Sequence, residues 1–266
     1  MSAGRGDVFD DVATFCMFIG YPRSGHSLIG SLLDAHPRIV IAHELDALRR
    51  VEEGVTREEL YEELLENSRR AAGAGREQTG YSYAVPGQWQ GRFDAIEVIG
   101  DKKGGRSTMR LRERPELLGR LERVVGVPLK LVHVVRNPYD NIASIATRPN
   151  TEMPPEARTQ VGVPEATRRY FDLWETVSGV LAEVGPDDVF SLRHEDFMAD
   201  PAPLLGELCG FLGQAASADY LADCREIVFS EGRRTREDVE WTPEAIEAVA
   251  SRSRGHPLLR DYSFDS

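Results

Sequence analysis

At 266 residues, 41% hydrophobic and 29% charged, the chain has the balance of a soluble protein and the length for one large α/β domain with a full core. A net charge of −12 excludes broad nucleic-acid binding, which needs a basic face, but leaves room for a small anionic ligand in a local basic pocket. Three cysteines, Cys16, Cys209 and Cys224, without C-x-x-C spacing exclude a disulfide framework and a zinc site.

The first element is an apolar run, Thr14-Phe15-Cys16-Met17-Phe18-Ile19, with the length and residue types of a buried strand. Gly20-Tyr21-Pro22-Arg23-Ser24-Gly25-His26-Ser27 follows, and then Leu28, Ile29, Leu32 and Leu33 recur at helical spacing until His36-Pro37. Strand, glycine loop and helix in that order bring backbone N–H groups and a helix N-terminus together on an anion. The spacing fits G-x-x-x-x-G-K-[ST], the phosphate loop of nucleotide-binding proteins, except that His26 stands where Lys should be.

Ile39–Ala42 reads as a second buried strand and delivers His43-Glu44-Leu45-Asp46 to its C-terminal end, where open α/β sheets place ligand chemistry. A helix through Leu48 and Val51 is expected next. Thr56-Arg57-Glu58-Glu59 then forms a capping box for another, with Leu60, Leu64 and Leu65 inward, dissolving near Ala72–Gly75. Residues 73 to 94, rich in Gly, Tyr, Gln and Trp, read as a loop or short hairpin over the site. Ile96–Gly100 is a third strand carrying Asp101-Lys102-Lys103 at its end, and a helix is expected from about Glu113 to Val124.

Leu129–Val135 is the strongest strand signal and ends in Arg136-Asn137-Pro138, with Asn137 as N-cap and Pro138 at the first helical position. Arg148 to Pro164 holds four prolines and little periodicity, the pattern of a mobile lid. A long helix with Tyr170, Phe171, Trp174, Val177 and Leu181 leads to a last core strand, Val189–Leu192, and Asp200-Pro201 opens a helix ending at Gly213. Strands separated by helices imply a three-layer α/β fold around a central parallel sheet. With no repeat and no compositional break, residues 1–266 read as a single domain. Met1 to Asp11 lacks the basic and apolar regions of a signal peptide and no apolar run reaches a membrane span, so a cytoplasmic protein is expected.

Three segments together resemble the sulfotransferases that use 3′-phosphoadenosine 5′-phosphosulfate (PAPS). Tyr21–Ser27 is similar to that family's 5′-phosphosulfate loop, P-[KR]-S-G-T-T. Val134–Ser144 is similar to its 3′-phosphate motif, R-N-P-x-D-x-x-x-S, with Arg136 and Ser144 at the phosphate positions. Ser191–Phe197, with Asp200-Pro201 and Phe211-Leu212-Gly213, is similar to R-Y-E-D-L…D-P…F-L-G. The likeness runs from about Phe15 to Gly213 and is weakest between Arg49 and Asp94. It implies a P-loop-like sulfotransferase fold, PAPS as donor without a metal, and a hydroxyl or amine acceptor on a small molecule or glycan; homodimer formation is left open.

The resemblance also assigns residues. Ser24, Gly25 and Ser27 would line the donor with Arg23, which would neutralise the leaving phosphate. His26, in place of the usual Thr, would donate to the sulfuryl or phosphate oxygens. His194 stands where the family commonly has an adenine-contacting Tyr, a core histidine being the alternative. Arg233-Arg234-Thr235-Arg236 is the densest basic cluster and, by analogy with a basic C-terminal loop, would bring Arg234 to the 3′-phosphate; a solvated charge run is the alternative. For the base, Glu44 is favoured over its neighbour His43, with Asp101 third, and Glu44 lies one sheet position from the phosphate loop if consecutive strands pair. Lys102 resembles the D-K of a D-K-T-P segment that would touch the bridging oxygen. A P-loop kinase or NTPase would need the loop Lys and a Mg²⁺-holding Asp, and a non-catalytic nucleotide-binding module would share every phosphate contact while lacking a base.

Overall fold

Strand β1 (Thr14–Gly20) is buried from Phe15 to Gly20 and forms the centre of a five-stranded parallel sheet. The computed structural model describes residues 8–78, 80–147, 160–229 and 232–266; the expected lid lies mostly outside them. In chain order β1 is followed by α1 (His26–Leu33), β2 (Ile39–His43), α2 (Ala47–Glu53) and α3 (Arg57–Gly73). A two-stranded hairpin of β3 (Glu77–Gln78) and β4 (Tyr81–Ser82) comes next, then β5 (Val98–Lys102), α4 (Gly105–Glu113) and α5 (Leu117–Val125). The second half holds β6 (Leu129–Val135), α6 (Pro138–Thr147), α7 (Val163–Val184) and β7 (Val189–Arg193). It finishes with α8 (His194–Ala199), α9 (Pro201–Phe211), α10 (Ala218–Glu226) and α11 (Pro243–Ser253).

Strand order across the sheet is β2-β5-β1-β6-β7. Alternation along β1 splits the core: Phe15, Met17 and Ile19 face the layer containing α2–α7 and α11, whereas Cys16 and Phe18 face α1, α9 and α10. Register brings every strand's C-terminus to one edge. Gly20 pairs with Val134, His43 with Lys102, and Val135 with Arg193. The chain crosses from one side of β1 to the other between β5 and β6, so the end of β1 is the switch point where α/β sheets bind ligands.

Local signals explain the element ends. The Thr56 hydroxyl accepts from Glu59 N–H while the Glu59 carboxylate accepts from Thr56 N–H, a reciprocal cap contributing about 1 kcal/mol. Asn137 Oδ1 accepts from Tyr139 N–H at 3.0 Å, and Pro138 occupies the first turn of α6 as expected.

Two expectations need correction. The helix expected over 113–124 is found as α5 but starts later, at Leu117, because Pro115 lacks an N–H, and a further helix, α4, precedes it from Gly104-Gly105, residues that weaken a helical reading. Consecutive strands do not pair at the start of the sheet either. β5 inserts between β1 and β2, so Glu44 is two positions from the phosphate loop and Lys102 fills the gap between them.

Candidate active site

The loop after β1 is shaped for an anion by its backbone. Arg23 has φ 68° and Gly25 φ 93°, two left-handed residues that curl successive N–H groups inward just before α1 begins. A side chain on Gly25 would put its Cβ 2.4 Å from His194 Nδ1, so glycine is required for contact as well as conformation. α4 braces the loop: Thr108 Oγ1 accepts from Gly20 N–H at 3.0 Å and donates to the Gly20 carbonyl at 2.7 Å. A Cβ on Gly105 would lie 2.7 Å from Pro22 N.

The loop side chains divide their duties. Ser24 is fully buried, and its hydroxyl donates to Asn141 Oδ1 at 3.3 Å, while Asn141 Nδ2 donates to the Pro22 carbonyl at 2.6 Å. The Ser24 side chain thus ties the loop to α6, leaving its N–H for an anion. His26 is buried edge-on to Phe18 beside Gly20 and Gly104, and its Nε2 has no hydrogen-bond partner among the described residues. Burial first, and then the Lys102 charge, hold the His26 imidazole down at about 3, so it is neutral at physiological pH.

At the ends of β2 and β5 the polar groups form an ion-pair cluster. Lys102 is 2% exposed, and its Nζ donates to Ser27 Oγ at 3.1 Å and to Glu44 Oε1 at 2.9 Å. Lys103 Nζ lies 3.4 Å from Glu44 Oε2. Burial raises the Glu44 pKa, but the Lys102 charge and hydrogen bond, with Lys103, outweigh it and bring the carboxyl to about 2. Glu44 has φ 64°, a left-handed conformation uncommon for a non-glycine residue. What holds that turn is Asp101: buried, it accepts from the N–H groups of Leu45, Asp46 and Ala47 at 3.1, 2.9 and 2.9 Å. Asp101 is fully engaged as an acceptor at the start of α2. His43, half-buried on the edge strand, is lowered to about 4 by burial and by the Lys102 charge.

At the ends of β6 and β7 a denser network appears. Buried Arg136 donates through Nη1 to the Arg23 carbonyl at 3.1 Å and through Nη2 to the Arg233 carbonyl, joining the phosphate loop to the basic C-terminal loop. Ser144 Oγ is 3.1 Å from Thr235 Oγ1, which donates to the Asp140 carbonyl at 2.7 Å. Arg236 grips Asp140 in a forked pair, Nε to Oδ1 at 3.2 Å and Nη2 to Oδ2 at 3.0 Å, with both side chains about 5% exposed. Its Nη1 donates to the Ser263 and Phe264 carbonyls. Arg233 pairs with Asp238 at 2.9 Å, and Arg234 is exposed. His194 lies between Gly25 and Gly232; its buried Nδ1 has no partner among the described residues, and burial and the Arg136 charge bring it to about 4.

The structure therefore gathers Arg23, Ser24, Gly25, His26, Ser27, Glu44, Arg136, Ser144 and His194 along one edge of the sheet. Sequence reasoning missed Asn141 and Thr108, which hold the loop, and the Asp140–Arg236 pair. Asn141 lies one turn beyond the N-cap Asn137, a signal indistinguishable from an ordinary helix polar residue. Tyr83, after the hairpin, is close enough to Arg23 for that charge to oppose the effect of burial on its hydroxyl.

Residues 128–218 match the family model described as "Sulfotransferase family". A search of curated proteins finds no match. Among solved structures, the fold is similar to the "Sulfotransferase Domain from the Curacin Biosynthetic Pathway", at TM-score 0.50 and 16% identity over 85% of this chain and 83% of that chain. It is also similar to sulfotransferase STF9 from Mycobacterium avium, at TM-score 0.50 and 15% identity over 95% of this chain and 79% of that chain. At such identities the structural likeness speaks for the fold, the P-loop-like parallel sheet flanked by helices. The family match over the β6–α9 segment makes that third of the chain similar to the sulfotransferase family, within a fold shared with solved sulfotransferases.

Proposed function

We propose that the protein transfers a sulfuryl group from PAPS to a hydroxyl or amine of a polar small-molecule or glycan acceptor by in-line displacement. The observation that carries this reading is the pair of anion stations linked through Arg136: the curled loop Pro22–Ser27 and the Arg136/Ser144 corner, joined by the Arg136–Arg23 hydrogen bond. Two separate stations suit a nucleotide with a 5′-phosphosulfate and a 3′-phosphate better than a single triphosphate chain. The donor supplies an activated sulfuryl group on a phosphate leaving group; the protein supplies position, charge and a base.

Lys102 donates to Ser27 in the first turn of α1, and it stands in for the loop lysine that His26 replaces. Together with Arg23 it neutralises charge developing on the bridging oxygen. Glu44 accepts the acceptor's proton. In the ion-paired state its carboxylate is held in the ionised, proton-accepting form but is weakly basic, so engagement of Lys102 with the transferred group would raise its basicity at the moment it is needed. His26 supports the loop from below, and Arg236 fixes the loop whose Arg233 carbonyl accepts from Arg136, from which Arg234 would reach the 3′-phosphate.

Calorimetry with 3′-phosphoadenosine 5′-phosphate (PAP) and with ATP–Mg²⁺ tests the donor assignment. Tight binding of PAP is expected, and preference for ATP–Mg²⁺ would overturn it. Transfer of labelled sulfate from PAPS to an acceptor library tests the reaction.

A further inference from the structure

Beside Glu44, at the end of edge strand β2, lies a cavity of about 250 Å³ lined by His43, Asn67, Arg70, Ala71, Ala74, Arg76 and Glu77. It contains no residue of the phosphate loop. The lining has no aromatic or branched apolar side chain; its only apolar members are two alanines. Alanines and the aliphatic stems of the arginines and glutamate cover part of the wall, but it lacks the large aromatic and branched side chains that hold phenolic or steroidal ligands.

The floor is a placed cation. Arg76 is 3% exposed and adopts φ 51°, a strained conformation for a non-glycine residue. Its Nη2 donates to Asp34 Oδ2 and to Ser68 Oγ. Asp34 is itself fixed by Ile41 N–H at 2.7 Å, Ser68 Oγ at 2.8 Å and Gly91 N–H at 3.2 Å. Only one end of the guanidinium is thus engaged. The Nε is buried without a partner, and Nη1 makes no hydrogen bond among the described residues. A buried donor left unpaired is costly, and a guanidinium presents a planar fork suited to carboxylate and sulfate. Asn67 spends its Oδ1 on His43 N–H at 2.6 Å, which leaves its Nδ2 as a further donor. Arg70 adds an exposed cation at the rim, 3.3 Å from Glu66, while Glu77 is the single carboxylate among the lining residues.

We infer that this cavity receives an anionic group, a carboxylate in the first instance, of a hydroxyl-bearing acceptor, and so selects hydroxy acids over neutral sugars and phenols. This rests on the proposed sulfuryl transfer. The His43 ring in the lining feels the charges of both Arg76 and Glu44, so an anion seated on Arg76 would bring a nearby hydroxyl of the same molecule toward the Glu44 carboxylate. The small volume suits a monosaccharide-sized molecule or the acidic end of a larger one.

The test uses D-glucuronate and 3-hydroxybutyrate as probes, with D-glucose and 4-methylphenol as neutral counterparts, and needs no turnover in its first arm. Saturation-transfer NMR on the full chain, with and without PAP, should show glucuronate or 3-hydroxybutyrate bound and glucose not. Arg76→Gln should weaken that binding more than about tenfold, and Arg70→Gln, at an exposed site that leaves the core intact, by a few-fold, about fivefold at most. Which of the two acids gives the stronger signal separates a sugar acid from a simple hydroxy acid. Equal binding of glucose, or acid binding indifferent to both arginine variants, overturns the inference. In the second arm, sulfate transfer from PAPS should favour the acids at least tenfold in kcat/KM. Transfer that favours 4-methylphenol or glucose would overturn the anion pocket and leave the sulfotransferase reading standing. Failure to bind PAP or to use PAPS, with acid binding intact, would do the reverse.

Discussion

The two halves of the site are built differently. At the β6–β7 end, Arg136, Asp140, Thr235 and Arg236 are buried and each makes a hydrogen bond within one network, so this half is rigid before any ligand arrives. At the β2–β5 end a buried Lys102 faces a Glu44 side chain that is 39% exposed, and the pair can exchange partners. Binding energy is best gathered where little reorganises, and proton transfer needs a group whose environment changes as the reaction proceeds. On the proposed function, the division suits the first half to donor recognition and the second to chemistry.

The largest effect should come from the β2–β5 half. Glu44→Gln keeps shape and hydrogen bonding but removes basicity, so turnover should fall roughly 10²–10⁴-fold with PAP affinity nearly unchanged. In the wild type the carboxyl is held at about 2, against an ordinary 4.5. The depressed value means that the ion pair's contribution to stability is complete above pH 4.5 and is lost as pH falls toward 2. In kcat/KM the free-enzyme base stays ionised above pH 4, so Glu44 produces no acidic limb there. Lys102→Met should move that limb upward into the accessible range. If Glu44→Gln retains its rate while His43→Asn abolishes turnover, the base is the neighbour.

The rigid half should respond in stability first. Asp140→Ala leaves the Arg236 guanidinium buried without its carboxylate, and losing one partner of a buried pair costs about 3–5 kcal/mol. Chemical denaturation reads this directly, and Arg236→Lys, which keeps charge but loses the fork, should cost less. Should Asp140→Ala prove as stable as the parent, the network is not the rigid element described.

A smaller and more selective loss is expected at Arg136. Arg136→Ala should weaken PAP by about 1.5–3 kcal/mol, the range for a charge-assisted hydrogen bond. Adenosine 5′-phosphosulfate lacks the 3′-phosphate and should be nearly unaffected. Equal losses for both ligands would mean that Arg136 serves only as the strut between Arg23 and Arg233.

Much of this was legible in the residues. The β1–loop–α1 unit, the Thr56 capping box, the Asn137-Pro138 helix start and all five strands of the main sheet carry local signals that the structure reproduces within a few residues. Strand order was not legible, because apolar runs state that a strand is buried and not beside which neighbour. That single fact moves Lys102 between Ser27 and Glu44. Asp101 could not be separated from a base by sequence, since only the fold shows its carboxylate engaged by three backbone N–H groups. The Asp140–Arg236 pair spans 96 residues and leaves no local trace. The cluster Arg233–Arg236 looks uniform in sequence, yet burial divides it into an exposed Arg234 and a buried Arg236.

His26 should give the smallest change in rate, and it tests whether the loop's own side chain belongs to either half. Its ring is edge-on to Phe18, buried, and neutral because burial and Lys102 bring its pKa to about 3. A neutral ring packed beneath the loop neither neutralises the leaving group nor titrates during turnover. His26→Asn should therefore change kcat by less than tenfold, about 1.4 kcal/mol of barrier, and kcat should show no inflection from this residue between pH 5 and 8. The stability signature is separate. The unfolded chain takes up a proton on His26 near pH 6.5 whereas the folded chain does not until about 3, so stability is greatest above 6.5 and falls on acidification through that window. The Asn variant, compared with its own value at pH 7.5, should lose less stability by pH 5 than the parent does. A hundredfold fall in kcat with unchanged acid sensitivity would place the imidazole among the groups that touch the transferred sulfuryl, and the division between a chemical edge at β2–β5 and a binding edge at β6–β7 would have to be redrawn through the loop itself.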